Sequence, residues 1–377
     1  MITISESTIA HKHQSKWSPS GKMNIPRAGH TASLLSNEKL LVTGGNWCYP
    51  GPGPDICVLN STELYDLSSG TWTYTSSMHS SRNGHTASIL NNGKILVTCG
   101  FCNTVILRST ELYDPSTATW KVSSDMSSVR YRHTASVLTN GEVLVVGGFD
   151  GNSKSDSYLY DPTNETWTPT GNLYTARDGH TACILSDGKV LVTGGHNGSR
   201  VLRSAEIYDP SNGTWTVTDN MTEARVRHTA TTLPNGKVLI VGGVHIHTLR
   251  TAELYDPTNE TWTTTGSMNN AREDHAAVLL PNGQVLITGG FIENGVLNSA
   301  ELYDPSTETW SIVGDMYNAR LYHTASVLSN GKVLAVGGLS DATYLNDTEL
   351  YTSPTESLTN IDQMNNVPYE QDMRNIK

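Results

Sequence analysis

Short apolar runs separated by turn residues recur along the chain as one unit of about 47 residues. Each unit opens with an alternating segment such as HTASVL, continues with an unbroken apolar run such as KVLVTGG, and then carries ELYD and TWT. Alternation is typical of a half-buried strand, and a short unbroken apolar run is typical of a strand buried on both faces. The pattern predicts four short strands per unit and excludes a helical solenoid, because nothing has a helical period.

The unit occurs seven times, and its opening histidines are 55 residues apart at first and then 47 or 48 residues apart. Four strands in a repeat of this length are the signature of a propeller blade. We therefore expect an all-β fold, a seven-bladed β-propeller with four-stranded blades. The opening histidines are His30, His85, His133, His180, His228, His275 and His323.

Turn residues separate the first two predicted strands of each unit. Six units have N-G or D-G at this point, which predicts a tight hairpin because these residues tolerate a positive φ. The first unit has Asn37-Glu38 instead.

The two ends of the chain share one blade in this interpretation. The seventh unit has no T-W after Tyr351, but Trp17 precedes His30 by 13 residues, as Trp72 precedes His85. We expect the N-terminal strand to complete the last blade and so to remove an open sheet edge. The predicted domain is 15–353, with disordered tails at 1–14 and 354–377.

The paired glycines, the tyrosine about twenty residues later and the tryptophan after it resemble the kelch repeat, from roughly Trp17 to Tyr351. The central propeller of galactose oxidase is similar and has seven such blades. The resemblance implies a fold rather than a function, since kelch proteins range from oxidases to substrate receptors of ubiquitin ligases.

Composition narrows the classes of partner. The net charge of −11 argues against nucleic acid, which requires an excess of Lys and Arg. No apolar run approaches the length of a membrane span. We expect a monomer, and a cytoplasmic location if the chain is complete. If it is a fragment, that inference about location fails and an extracellular location is open.

Function is expected on one rim of the propeller. Strand one begins where strand two ends, so the segments before each histidine and after each glycine pair share that rim. The loops after the glycine pairs differ between units, whereas the N-G turns hardly vary. Binding surfaces are built where repeats differ. We predict a non-catalytic module that binds a protein or peptide on this face; the alternative is an extracellular glycan-binding or copper-oxidase-like propeller.

The histidines are expected to be structural. Arg-x-x-His occurs in all seven units, whereas a catalytic histidine is needed once. We expect these histidines to hydrogen-bond a neighbouring backbone group or the Glu of ELYD. Copper-radical oxidases of the kelch family also place a Tyr-His pair before strand one, as Tyr322-His323 does here. They further need a Cys joined to a Tyr at positions that hold only His in this chain, so we expect no catalytic residue, metal or cofactor.

The residues between the Arg and the His of each unit are candidates for partner binding. Kelch-type substrate receptors hold acidic peptides with arginines on this rim, so the resemblance implies an acidic peptide or carboxylate ligand here. Arg108, Arg203 and Arg250 share one repeated position and are interpreted as structural. The three phenylalanines, including Phe101, follow a small pair and either pack between blades or present an aromatic surface. The candidate binding residues are Arg132 and Arg227 as anchors, with Tyr131, Tyr322, Asp274, Trp47, Phe149 and Phe291 around them.

The cysteines leave alternatives open. Cys99 and Cys102 form a C-x-x-C at the end of a predicted strand, which is not the strand-then-helix context of redox catalysis. Cys48 and Cys57 flank the one long insertion, where a disulfide is expected in an oxidising compartment. Zinc binding by these four cysteines is the less favoured alternative, because a second C-x-x-C is missing.

Overall fold

A computed structural model describes residues 16–48, 56–341 and 343–353, and these form seven four-stranded antiparallel sheets. The innermost strands of neighbouring sheets contact one another around a complete ring. The predicted seven-bladed propeller is therefore confirmed. None of the described residues forms a helix long and apolar enough to cross a membrane.

The strands follow one another in chain order, blade by blade. The chain enters with β1 (Trp17–Lys22). Blade one has β2 (Thr31–Leu34), β3 (Lys39–Thr43), the loop hairpin β4 (Asn46–Cys48) and β5 (Ile56–Val58), β6 (Thr62–Asp66) and β7 (Thr71–Tyr74). Blade two has β8 (Thr86–Ile89), β9 (Ile95–Thr98), the loop hairpin β10 (Phe101–Cys102) and β11 (Val105–Ile106), β12 (Thr110–Asp114) and β13 (Thr119–Val122). Blade three has β14 (Thr134–Val137), β15 (Val143–Val146), β16 (Ser157–Asp161) and β17 (Thr166–Pro169).

The second half repeats this order. Blade four has β18 (Thr181–Ile184), β19 (Val190–Thr193), β20 (Ala205–Asp209) and β21 (Thr214–Val217). Blade five has β22 (Thr229–Thr232), β23 (Val238–Val241), β24 (Ala252–Asp256) and β25 (Thr261–Thr264). Blade six has β26 (Ala276–Leu279), β27 (Val285–Thr288), the loop hairpin β28 (Phe291–Ile292) and β29 (Gly295–Val296), β30 (Ser299–Asp304) and β31 (Thr309–Asp315). Blade seven has β32 (Thr324–Val327), β33 (Val333–Val336) and β34 (Asp347–Tyr351).

The N-terminal strand closes the ring, as predicted. In blade seven β1 pairs antiparallel with β34, and Trp17 lies opposite Tyr351 with ring centroids 5.2 Å apart. Tyr65 and Trp72 of blade one make the same contact at 5.1 Å. Trp17 therefore supplies in blade seven the packing that each other blade obtains from its own fourth strand.

The core lies between neighbouring blades. The second strand of each blade is buried on both faces, as its apolar run predicts; Leu41 of β3, for example, packs with Ile95 and Val97 of β9. The hairpin that precedes the second strand contains a residue with a left-handed backbone, such as Gly93 at φ 78°. There Asn92 Oδ1 accepts a hydrogen bond from the Lys94 amide. In blade one Glu38 takes that position at φ 61°. The predicted tails, 1–14 and 354–377, lie outside the described residues.

Candidate functional site

Seven buried arginines, one in each blade, hydrogen-bond backbone carbonyls and carboxylates inside the propeller. Arg27 donates from Nη1 to the Gly44 carbonyl at 2.9 Å and from Nη2 to Glu63 Oε1 at 2.8 Å. The Glu63 carboxylate also accepts the amides of Asn24 and Ile25. A buried charge is tolerated when it is paired and hydrogen-bonded in this way. All seven are fully buried: Arg27, Arg82, Arg130, Arg177, Arg225, Arg272 and Arg320.

The opening histidines join neighbouring blades through threonine. His133 Nε2 lies 2.9 Å from Thr86 Oγ1 of the preceding blade, and His275 Nε2 lies 2.8 Å from Thr229 Oγ1. The expected partner was a neighbouring backbone group or the Glu of ELYD. The glutamate alternative is wrong, because an arginine and two amides occupy that carboxylate, as they do at Glu63. The same type of contact is made by His30, His85, His180, His228 and His323.

Burial keeps the ring histidines neutral. It lowers the pKa of His85 and His275 to about 3, and the charge of the arginine three residues earlier acts in the same direction. Burial, followed by the neighbouring arginine, also lowers the pKa well below 6.5 for His30, His133, His180, His228 and His323. At each blade boundary a neutral imidazole is hydrogen-bonded to a threonine hydroxyl, and this contact stabilises the packing of neighbouring blades.

The segments before strand one and after strand two lie side by side in every blade. Tyr131 forms an antiparallel bridge with Phe149, and Glu273 forms one with Phe291. The same bridge joins Ala28 to Asn46, Asn83 to Phe101, Asp178 to His196, Val226 to Val244 and Leu321 to Leu339. We call the surface made by these two segments the variable rim.

The residue directly before each ring histidine has a left-handed backbone. Blades one, two and four place glycine there, which adopts a positive φ without strain. The other four blades place larger residues, whose side chains enter the ring at a cost in backbone strain. The φ angles are Gly29 73°, Gly84 56°, Arg132 55°, Gly179 62°, Arg227 59°, Asp274 54° and Tyr322 53°.

The two predicted anchor arginines are engaged within the ring. Arg227 Nη1 lies 3.0 Å from Glu273 Oε2 and 3.5 Å from an oxygen of Asp274. Arg132 Nη1 lies 3.5 Å from Asp178 Oδ2, and its guanidinium lies 4.9 Å from the ring of Tyr131. In both cases the next blade supplies the carboxylate. Their charges therefore hold neighbouring blades together, whereas the sequence analysis placed them as anchors for a partner.

The predicted aromatic residues are half-buried or buried. Tyr131 packs between Phe101 and Phe149, with ring centroids 5.7 Å away on each side. Phe291 packs against the cluster that contains Tyr322. Tyr322 is buried, and burial followed by the charge of Asp274 raises the pKa of its hydroxyl well above 10. Trp47 is half-buried on β4, opposite Cys57.

Three arginines of the variable rim are exposed, although the repeated position of Arg203 and Arg250 led to their interpretation as structural. Arg200, Arg203 and Arg250 are exposed on the loops of blades four and five. Within the described part of the chain none of the three forms an ion pair. The sequence does contain a sign that these arginines are not structural. Blades one and six have Asn60 and Asn298 at the repeat position that Arg203 and Arg250 occupy. Those asparagines donate to a methionine carbonyl, so the scaffold does not require arginine there.

The described cysteines are free thiols: Cys57, Cys99, Cys102 and Cys183. Burial raises the pKa of Cys99 to about 11 and that of Cys183 to about 12. The Cys48 side chain lies outside the described residues, and so does the predicted bridge to Cys57. Among the His, Cys, Asp and Glu residues described, no group of three or more is placed to hold a metal ion.

Comparisons with known proteins agree with the observed fold. The family model described as the KLHDC2/KLHL20/DRC7 Kelch-repeats domain matches residues 121–269 and 216–374, and a Kelch motif matches 82–127. A copper-bound fungal alcohol oxidase of the AA5 family is similar in structure, with a TM-score of 0.75 and 19% identity over 90% of this chain and 76% of its own. That likeness shows the fold alone. A search of curated proteins found no match.

Proposed function

Because the chain belongs to the kelch-repeat propellers, which commonly act as protein-interaction modules, we propose that it binds an acidic segment of a protein partner, without catalysis, on the variable rim. The supporting observation is the group of three exposed arginines, Arg200, Arg203 and Arg250, on adjacent blades. We call them the rim arginines.

The rim arginines differ from the other described arginines, because they are exposed and form no ion pair with a described residue. The seven scaffold arginines are fully buried, and Arg132 and Arg227 face carboxylates in the ring. A guanidinium binds a carboxylate through two parallel hydrogen bonds, which makes an acidic side chain its natural partner. The net charge of −11 does not cancel this local field, because salt screens charges beyond about 8–10 Å.

An exposed apolar side chain lies on the same loops. Ile246 is 77% exposed in the blade-five loop, beside His245 and His247. His247 Nδ1 lies 2.9 Å from Glu293 Oε1, so a carboxylate occupies the side of this loop that faces blade six. The binding segment is therefore proposed to run over blades four and five, with an apolar residue against Ile246.

The residues predicted from the sequence have supporting roles in this proposal. Arg132, Arg227, Asp274 and Tyr322 stiffen the rim through contacts between blades. Tyr131, Phe149, Phe291 and Trp47 supply half-buried aromatic surface toward which a bound segment can extend. A rigid rim favours binding because less conformational freedom is lost on association.

Selection from a phage library of random twelve-residue peptides tests this proposal. The parent protein should enrich sequences that contain Asp or Glu beside an apolar residue. The triple variant Arg200→Ala, Arg203→Ala, Arg250→Ala should not enrich them. Each charge-assisted hydrogen bond contributes about 1.5–3 kcal/mol, so losing three cations should remove most of the affinity.

A matched control removes three lysines near the N-G turns on the opposite rim. The variant Lys94→Ala, Lys189→Ala, Lys237→Ala changes the net charge equally and should select the same peptides as the parent. These lysines lie within 4.0 Å of Asp114, Asp209 and Asp256. Enrichment of the same acidic sequences by the arginine variant, or of sequences without Asp and Glu by the parent, would refute the proposal.

A further inference from the structure

Blade three departs from its six siblings at one position of its third strand. In the siblings a glutamate accepts two consecutive backbone amides; Glu206, for example, accepts the amide of Tyr174 at 2.7 Å and that of Thr175 at 3.0 Å. Blade three has Tyr158 at the glutamate position. The six glutamates are Glu63, Glu111, Glu206, Glu253, Glu301 and Glu349.

The replacement removes the carboxylate that pairs with two backbone amides in the other blades. The amides at the matching positions are those of Ser127 and Ser128, and neither makes a hydrogen bond with another described residue. The charge of Arg130 is balanced differently, because Asp156 Oδ2 lies 2.9 Å from its Nη2. Asp156 thus forms the ion pair with the arginine that the glutamate forms in the other blades, but it does not accept hydrogen bonds from the two amides. Ser127 is exposed and Ser128 is half-buried, so water or a ligand carboxylate can reach and pair with these amides.

An open cleft of about 550 Å³ lies beside this pair, between blades two and three. Ser127 and Tyr158 line it, together with Arg108, Trp167 and Pro169. The Tyr158 ring covers Arg130 at 5.1 Å, and its hydroxyl oxygen accepts a hydrogen bond from Ser127 Oγ at 2.9 Å. The cleft therefore combines aromatic walls with hydroxyl and guanidinium donors and with one carboxylate, that of Asp125.

We propose that this cleft binds a carboxylate carried on an apolar group, in place of the glutamate that blade three lacks. The ligand carboxylate accepts the Ser127 and Ser128 amides from the solvent side, while its apolar part packs on Trp167 and Pro169. Arg108 also lines the cleft, with its Nε 3.4 Å from Asp125 Oδ2, and the ligand carboxylate would compete with Asp125 for this guanidinium. An acidic side chain and a chain terminus both carry this chemistry. The inference does not rest on the rim arginines, which lie on other blades.

Amide NMR of the full-length protein tests the proposal with three small probes. N-acetyl-phenylalanine carries a terminal carboxylate, N-acetyl-glutamic acid α-amide carries a side-chain carboxylate, and N-acetyl-phenylalanine amide carries neither. At least one carboxylate probe should shift the Ser127 and Ser128 amide protons downfield and saturably, toward the values of Tyr174 and Thr175. The neutral amide should bind at least about tenfold more weakly, as expected for the loss of charged hydrogen bonds. No saturable shift with either carboxylate probe overturns the proposal.

Two substitutions of one residue provide the internal control. Tyr158→Glu restores the glutamate of the siblings, and blade seven shows that this is compatible with a nearby aspartate. There Arg320 contacts both Asp347 at 2.9 Å and Glu349 at 2.5 Å. The variant should shift both serine amides downfield without a probe and abolish the response to the carboxylates. Tyr158→Phe keeps the ring and should retain the response.

The inference also fails if Tyr158→Glu responds to the carboxylates as the parent does. If that variant does not fold, Arg108→Gln decides the matter, because it removes a cation of the cleft without touching the blade core. Binding of the carboxylate probes should then weaken by about tenfold, and an unchanged affinity would overturn the proposal.

Discussion

Mild acid should unfold this protein through its seven ring histidines. Each is buried and neutral, with a pKa lowered well below 6.5, and the pKa falls to about 3 for His85 and His275. A histidine whose pKa is depressed by folding takes up its proton only on unfolding. Its contribution to stability is therefore complete above pH 6.5 and is lost as the pH falls toward the folded pKa.

The size of the effect follows from the number of histidines. Each one lowers the free energy of unfolding by about 1.4 kcal/mol per pH unit inside this window. Seven acting together give a slope of roughly 9 kcal/mol per unit below about pH 6, comparable with the whole stability of a typical domain. The buried carboxylates, such as Glu111 and Glu301, have pKa values lowered from 4.5, so their contribution is lost at lower pH.

Calorimetry of thermal unfolding between pH 7.5 and 5 measures this directly. The melting temperature should fall steeply below pH 6, and the uptake of protons on unfolding should approach seven at pH 5.5. The variant His180→Gln should take up about one proton fewer. A melting temperature that is flat from pH 7 to 5.5, or an uptake below one proton, would refute the account of the histidine ring.

Two further outcomes follow from the same structure. Trp17→Ala should lower the free energy of unfolding by about 3–5 kcal/mol, since Trp17 is 2% exposed and packs against the Tyr351 ring at the ring closure; an unchanged urea midpoint would show that closure does not depend on it. Protein loaded with copper should form no hydrogen peroxide from simple alcohols, because His275 and its equivalents bond threonines at the positions where the resemblance to copper-radical oxidases implies a Cys–Tyr pair; peroxide above a copper-only control would contradict the proposed non-catalytic role.

The fold could be predicted because the same sequence pattern recurs in every blade. The distance from Trp17 to His30 equals that from Trp72 to His85, and this equality revealed the ring closure. The N-G pair predicted the hairpin at Gly93, because these residues tolerate a positive φ. The positive φ of Glu38 could not be predicted from the sequence, because glutamate, unlike glycine, does not favour a left-handed backbone.

The site was less predictable because its contacts run between blades. The sequence around Arg227 shows no carboxylate partner for its guanidinium. The partner, Glu273, is 46 residues away in the chain, and closure of the ring places its Oε2 3.0 Å from Arg227 Nη1. Tyr158 illustrates the opposite case. Its departure from the repeated glutamate is visible in the sequence, but only the structure shows that no other described residue accepts the amides of Ser127 and Ser128 in its place.

Hydrogen–deuterium exchange of the protein with a selected acidic peptide tests the central claim most directly, because it locates the binding face. The account predicts slowed exchange in the blade-four and blade-five loops, 196–203 and 244–250, and unchanged exchange in the turns at 186–188 and 234–236. The peptide should give no protection in the variant that lacks the rim arginines. Protection of those turns on the opposite rim, or of neither surface, would contradict the account.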